Sequence, residues 1–336
     1  MNTPRIRAAA LCLMAALAAP GTVLTASAQT PSPAAVQNYP DRPIKLVSPF
    51  PPGGPTDVMA RLIGGQMARA LGQPVIIENR AGAAGAIGAD YVAKSAPDGY
   101  TVCYCTTGPL VTLPLMDSRL PYQPARDLLP VSQVNRLELV LIARNGLEAQ
   151  NIPELVTLAK ARPGRITYAI PGMGGPNHLA VELLKTMASI DLLPVPFKGD
   201  QAALTDLMGG HVDLFLGSVQ SAAPLVAAGR LKAIAVTGAQ RSPMLPGVPT
   251  IAESGYPAYE ASTFAGIHVP PGTPPAIVAK LQKAAIAAAQ DATVRERMLT
   301  EGMVAVGNTA PEYTQYIAGE TTKWEKTMQR AGVKRE

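Results

Sequence analysis

Short apolar strand signals and longer helical stretches take turns along this chain, and a chain of that kind closes as a sheet with helices packed on its faces. Residues 44–50, 75–78 and 100–105 read as buried strands, with helical stretches at 58–70 and 86–95 between them. This is a parallel-sheet rhythm, whose right-handed crossovers bring the loops after the first and third strands to one edge. Residues 53–57 and 106–108 are therefore expected to be neighbours. A second alternating set follows Pro130, with strands at 137–143, 166–170, 193–197, 212–216 and 231–236 and helices at 153–161, 177–188, 202–208 and 221–228. The tail offers one strand, 264–269, and helices at 274–290 and 311–331, which is too little for a domain of its own. It is expected to return and complete the first unit, leaving the middle of the chain as an inserted lobe. The reading is α/β, with residues 1–28 as a leader, 29–133 and 257–336 as the first lobe and 134–256 as the second.

The loop Phe50-Pro-Pro-Gly-Gly-Pro-Thr-Asp57 joins the first strand to the first helix, at the sheet edge where open α/β folds bind ligands. Its glycines let a ligand approach the backbone, and Thr56 or Asp57 can cap the helix while other first-turn N–H groups stay free for an anion. The same residues suit a plain Pro/Gly turn with a helix cap, and the loop by itself leaves both readings open. The second unit has a counterpart in Tyr168-Ala-Ile-Pro-Gly-Met-Gly-Gly-Pro-Asn177, with Gly172, Gly174 and Gly175 between a strand and a helix. Two helix N-termini facing each other across a cleft suit a ligand held between lobes and released by hinge opening.

Residues 1–28 carry Arg5 and Arg7, an apolar run from 8 to 19, and Ala26-Ser-Ala28, the parts of a secretory signal cleaved after Ala28. The apolar run is broken by Pro20-Gly21 and falls short of the roughly 20 residues of a membrane span. Export to the periplasm is expected. Cleavage takes away two of the +5 formal charges, and the remaining basic residues are interspersed with acids, which excludes a stripe for nucleic acid. Cys12 leaves with the leader. Cys103 and Cys105 share a strand face, where a bond between them closes only a small ring, so two free thiols are expected.

No metal site is expected, since His178, His211 and His268 are far apart in sequence. Gly82-Ala-Ala-Gly-Ala-Ile-Gly88 lacks the spacing of a dinucleotide loop and follows the second strand, which suits close packing at a helix start. There is neither a phosphate-binding Lys loop nor a nucleophile elbow. Asp57, His178 and Ser218 can be drawn into a triad, but each has a plainer use as a cap or ligand contact. No cofactor and no enzymatic activity are expected.

The ordered motifs Tyr39-Pro-Asp-Arg-Pro-Ile-Lys-Leu-Val-Ser-Pro-Phe50, Val75-Ile-Ile-Glu-Asn-Arg-Ala-Gly82, Ala96-Pro-Asp-Gly-Tyr-Thr101, Val195-Pro-Phe-Lys-Gly199 and Gly247-Val-Pro-Thr-Ile-Ala-Glu-Ser-Gly255 resemble the Bug-type solute-binding proteins of tripartite tricarboxylate transporters. The resemblance covers nearly all of the chain after the leader. It implies a two-lobed, type II-like periplasmic binding fold, each lobe a mainly parallel sheet flanked by helices, with a small organic carboxylate in the cleft between them. It also implies a membrane permease as partner and a monomeric receptor. A sensor that signals to a membrane receptor, or a secreted enzyme, is the alternative.

Carried over residue by residue, the carboxylate-binding loop falls on Phe50, Gly54, Thr56 and Asp57, with Thr106 and Thr107 in the loop after the third strand and Gly172, Gly174, Gly175 and His178 in the second lobe. This chain departs from the family pattern at three places. Gly175 replaces a usual hydroxyl residue, Asp200 stands where glycine commonly follows Lys-Gly, and Ser218 lies near a frequent Asp. Asp200 either caps the helix at 202–208 or reaches the cleft, where its charge disfavours a second ligand carboxylate.

Overall fold

Ile44, Leu46 and Val47 are wholly buried because strand β1 (Ile44–Ser48) lies inside a sheet, paired in parallel with β2 (Val75–Asn79) and β3 (Thr101–Thr106). The computed structural model describes residues 37–171 and 174–333, so the leader, its cut after Ala28 and Gly172 lie outside the described residues. A 16-residue strand, β4 (Leu129–Arg144), then runs through both halves of the molecule. It is followed by β5 (Thr167–Ile170), β6 (Leu193–Pro196), β7 (Leu214–Ser218), β8 (Leu231–Val236), β9 (Ser262–Val269) and β10 (Met303–Ala305).

Up to Glu138, β4 pairs antiparallel with β9 and β10, giving the order β2-β1-β3-β9-β4-β10. From Leu139 on it pairs antiparallel with β7 and β8, giving β6-β5-β7-β4-β8. The sheet is mixed: β2-β1-β3 and β6-β5-β7 are parallel, and every pairing of the shared strand β4 is antiparallel. The chain crosses back beside it, and Thr237 ties the two passages together. Its Oγ1 accepts from Leu139 N–H at 3.0 Å and donates to Leu139 C=O at 3.1 Å, while Thr237 N–H donates to the same carbonyl at 2.9 Å.

The Pro55–Leu71 helix buries Met59, Ile63 and Met67 against Leu46 and against Ile277 and Leu281 of the Pro275–Gln290 helix. Each such side chain contributes about 1.5–3 kcal/mol by leaving water. The return segment sets β9 between β3 and β4 and also reaches beyond them. In the last helix, Ala310–Ala331, Trp324 and Met328 join one core with Leu179 and Ala180 of the Pro176–Ala188 helix, so this helix rests on both lobes.

Several elements go beyond the sequence reading, among them the short helices Leu113–Met116 and Pro124–Asp127. The Ala292–Thr300 helix starts at Asp291, whose side chain accepts Val294 N–H at 3.1 Å, and β10 is three residues long, too short for a periodic signal. One expectation is corrected. Cys103 and Cys105 are not free thiols but a disulfide, because alternate strand positions share a face and their Cα atoms approach to 5.2 Å, inside the range such a bond spans. Among the described residues no helix is long and apolar enough to cross a membrane.

Candidate ligand cleft

Pro55 opens its helix at the first position, where a missing N–H costs nothing, and extended Gly54 stands before it with its carbonyl accepting Val58 N–H at 3.0 Å. Thr56 and Asp57 are thus the second and third helical residues, and neither is the cap the sequence suggests. Asp57 turns back on its own loop. Its carboxylate accepts Gly53 N–H and Arg61 Nε–H at 2.9 Å and Asn79 Nδ2–H at 2.7 Å, and Asn79 also donates to Phe50 C=O at 3.1 Å. Burial raises the pKa of Asp57, but the bonds from Arg61, Gly53 and Asn79 outweigh it and hold the group at about 2.

The second lobe repeats the device. Gly175 precedes Pro176 at the first helical position, and His178, third in the helix, accepts Gly174 N–H on Nδ1 at 2.9 Å. Both donors are glycines in the left-handed region, Gly53 at φ 83° and Gly174 at φ 68°, a conformation other residues adopt only at a cost. An accepting Nδ1 assigns the proton of neutral His178 to Nε2, which lies 3.8 Å from Glu182 Oε1. Burial lowers the pKa of His178, Glu182 opposes that shift, and Lys185 adds to it.

Between the two loops lies a cavity of about 480 Å³. On the first-lobe side it is lined by Thr56, Thr106 and Thr263, with Phe50 and Ala84 beside them. Gly174, Gly175 and Pro176 form the opposite wall. Leu113 and Met116 close one end, and Met116 crosses to Gly174 so closely that a side chain at 174 would collide with its thioether.

Of the residues picked from sequence, Phe50, Thr56, Thr106, Thr107, Gly174 and Gly175 meet in this cavity. Thr107 has its hydroxyl engaged, accepting Phe264 N–H at 2.7 Å and donating to Phe264 C=O at 3.3 Å. Asp57 and His178 are buried behind their loops and do not line the cavity. Ser218 caps the Val219–Ala227 helix by accepting Ser221 N–H at 3.3 Å. Asp200 is the first residue of the Asp200–Gly209 helix, behind Gly199 as cap, and is not in the cavity lining. The residue is exposed, and the protein packed around its carboxyl raises its pKa. Gly199 holds a φ of 93°, which fits glycine at the cap and moves Asp200 one place into the helix.

Sequence reasoning missed Ala84, Thr112, Leu113, Met116, Pro176 and Thr263. Proline after Gly175 was the readable signal for Pro176. Nothing local marks the others. Ala83 and Ala84 have φ of 46° and 50°, backbone strain of the kind that gathers at functional sites. Among the described residues no cluster of His, Cys, Asp or Glu is placed to hold a metal ion.

Two lobes joined by crossing strands, with a cleft between helix-opening Gly-Pro loops, define a solute-binding protein. The chain belongs to the TctC family, the tripartite tricarboxylate transporter family receptors, whose model matches residues 59–333. It is similar to protein BugT of Bordetella pertussis, 39% identical over 316 residues that make up 93% of this chain and 96% of that one. It also resembles an R. palustris protein solved with adipate, with 34% identity, 89% and 100% of the two chains covered, and a TM-score of 0.74. MatC from Rhodopseudomonas palustris with bound malate gives 32% identity, 86% and 99% coverage and a TM-score of 0.69. The protein is therefore a solute-binding receptor of the tripartite tricarboxylate type.

Proposed function

We propose that the protein is exported with cleavage after Ala28 and works in the periplasm as a monomer, closing its cleft on a small organic carboxylate and presenting it to the permease of its transporter. The lobes divide where the chain crosses at Leu139 and Thr237. The observation that carries this reading is the cavity of about 480 Å³ lined by Thr56, Thr106 and Thr263 opposite Gly174 and Gly175, with the Thr56 N–H among the unpaired donors of a first helical turn. Hydroxyls and N–H groups hold a carboxylate without proton transfer, and the groups nearest to general bases, Asp57 and His178, are engaged in shaping the loops. The ligand is released unchanged. Relatives that hold adipate and malate support a carboxylate as the cargo.

Periplasmic protein, purified without denaturation, is to be examined by native mass spectrometry and N-terminal sequencing, then incubated with its released ligand. Expected are a start at Gln29, one bound organic acid per monomer, and recovery of that acid intact. A chemically altered product would assign the cleft to catalysis.

A further inference from the structure

The cleft is chemically lopsided. Thr56, Thr106 and Thr263 each carry a hydroxyl with no partner among the described residues, and the same three also line an adjoining recess, so they form one patch. The hydroxyls of Thr107 and Thr112 are directed to Phe264 and to Gly108 C=O. At the other end the walls are carbon: Leu113, Met116 and Pro176. Among the described residues no Lys, Arg or His side chain lines the cavity. Nor do the residues that open the second-lobe helix add donors there, since Pro176 has no N–H and Asn177 and His178 are not part of the lining.

One carboxylate on the threonine patch exchanges water for several O–H and N–H donors. A second carboxylate pressed against Leu113 and Met116 would lose its water with no countercharge, a penalty that a methyl or phenyl tail does not meet. We propose that the preferred ligand is a monocarboxylate with an apolar tail, its carboxylate on Thr56, Thr106 and Thr263 and its tail against Leu113, Met116 and Pro176. This rests on the carboxylate reading above and narrows it to one charge.

The test is calorimetric titration of the mature protein, stripped of co-purified ligand, with pairs matched in carbon skeleton: butanoate and succinate, hexanoate and adipate, benzoate and terephthalate. Hexanamide and benzamide serve as uncharged controls. At least one monocarboxylate is expected to bind ten-fold or more tightly than its dicarboxylate partner, and the amides are expected not to bind. Met116→Lys, which adds a cation at the tail end, is expected to move that ratio at least ten-fold toward the dicarboxylate. A dicarboxylate that matches or exceeds every monocarboxylate in wild type overturns the proposal and leaves the carboxylate reading standing. An unchanged ratio in Met116→Lys overturns the assigned position of the tail. Amides that bind as well as the acids, or no binding by any acid, overturn both.

Discussion

Gly174 donates its N–H to Nδ1 of His178 at 2.9 Å across four residues of sequence. Gly53 makes the matching bond to Asp57 at the same length and the same spacing in the other lobe. A left-handed glycine, a flanking glycine, a helix-opening proline and an acceptor third in the helix thus shape both walls of the cleft with chemically different acceptors. One consequence is that the two loops respond differently to acid.

Protonated His178 has a hydrogen on both ring nitrogens, so it cannot accept from Gly174. Its folded pKa is below the ordinary value of 6.5, because burial outweighs the opposing Glu182 and is helped by Lys185. The unfolded chain takes up its proton first, so this contribution is present above pH 6.5 and is lost as pH falls toward the folded pKa. Ligand affinity is expected to be weaker at a pH below the folded pKa of His178, which is itself below 6.5, than at pH 7, and His178→Phe to weaken it already at pH 7. Leaving a buried N–H unpaired costs about 1–3 kcal/mol, roughly ten- to hundred-fold if all of it falls on the closed form. Titrations of both proteins at the two pH values check this, and equal acid sensitivity in the variant would count against it.

Thr56 and Asp57 are adjacent yet are expected to fail differently. Thr56→Ala removes a free hydroxyl from the cavity and should lower affinity about ten-fold while the melting temperature stays put. Asp57→Ala strands Gly53 N–H and Arg61, so stability should fall as well as affinity. Because the folded pKa of Asp57 is about 2 against an unfolded value near 3.8, its contribution is present above pH 4 and lost on the way to pH 2. With Arg61 half exposed, that contribution is on the order of 1–2 kcal/mol. Calorimetric titration beside thermal melts separates the two roles.

His268 is expected to add to the acid sensitivity of the fold. It is wholly buried, with Nδ1 3.2 Å from Gly266 C=O, and burial brings its pKa down to about 4, partly offset by that carbonyl. Its neutral form stabilises the fold fully above pH 6.5, and this is lost as pH falls from 6.5 to 4, on the order of 2–3 kcal/mol. The Tyr313 ring, 5.2 Å away, is a titratable group that faces it, and burial raises its pKa well above the ordinary value, so it stays neutral. His268→Phe, with an adjoining cavity of about 320 Å³ to take up the added atom, is expected to flatten the melting temperature between pH 6.5 and 4. A profile as steep as wild type would remove His268 from this role.

Two helical glycines make a paired test of packing. A Cβ on Gly88 would lie 2.8 Å from Pro49 Cα and 2.9 Å from Arg80 C=O, backbone atoms that cannot swing aside, so Gly88→Ala should destabilise by about 1–3 kcal/mol. Gly65 is an exposed helix position with nothing within 4 Å of a new Cβ, and Gly65→Ala should stabilise by about 0.5–1 kcal/mol. Chemical denaturation of the two variants decides whether the glycines at residues 82–88 serve close packing.

What the sequence by itself determined was local. Apolar runs of strand length between helical periods fixed the alternation, because it depends on a few neighbouring residues, whereas the helix expected over 58–70 behind a Thr56 or Asp57 cap begins at Pro55 behind Gly54. Tertiary structure decided which side chains meet. Thr56 and Asp57 are one step apart on a helix, about 100° of rotation, and only packing against Asn79 shows which one faces the cleft. Thr263 and Met116 reach the cavity through the antiparallel pairing of β3 with β9 and the contact of Met116 with Gly174, neither of which has a local signature. The division into lobes depends likewise on β4 changing partners after Glu138, a choice made by strands that lie far from it in sequence.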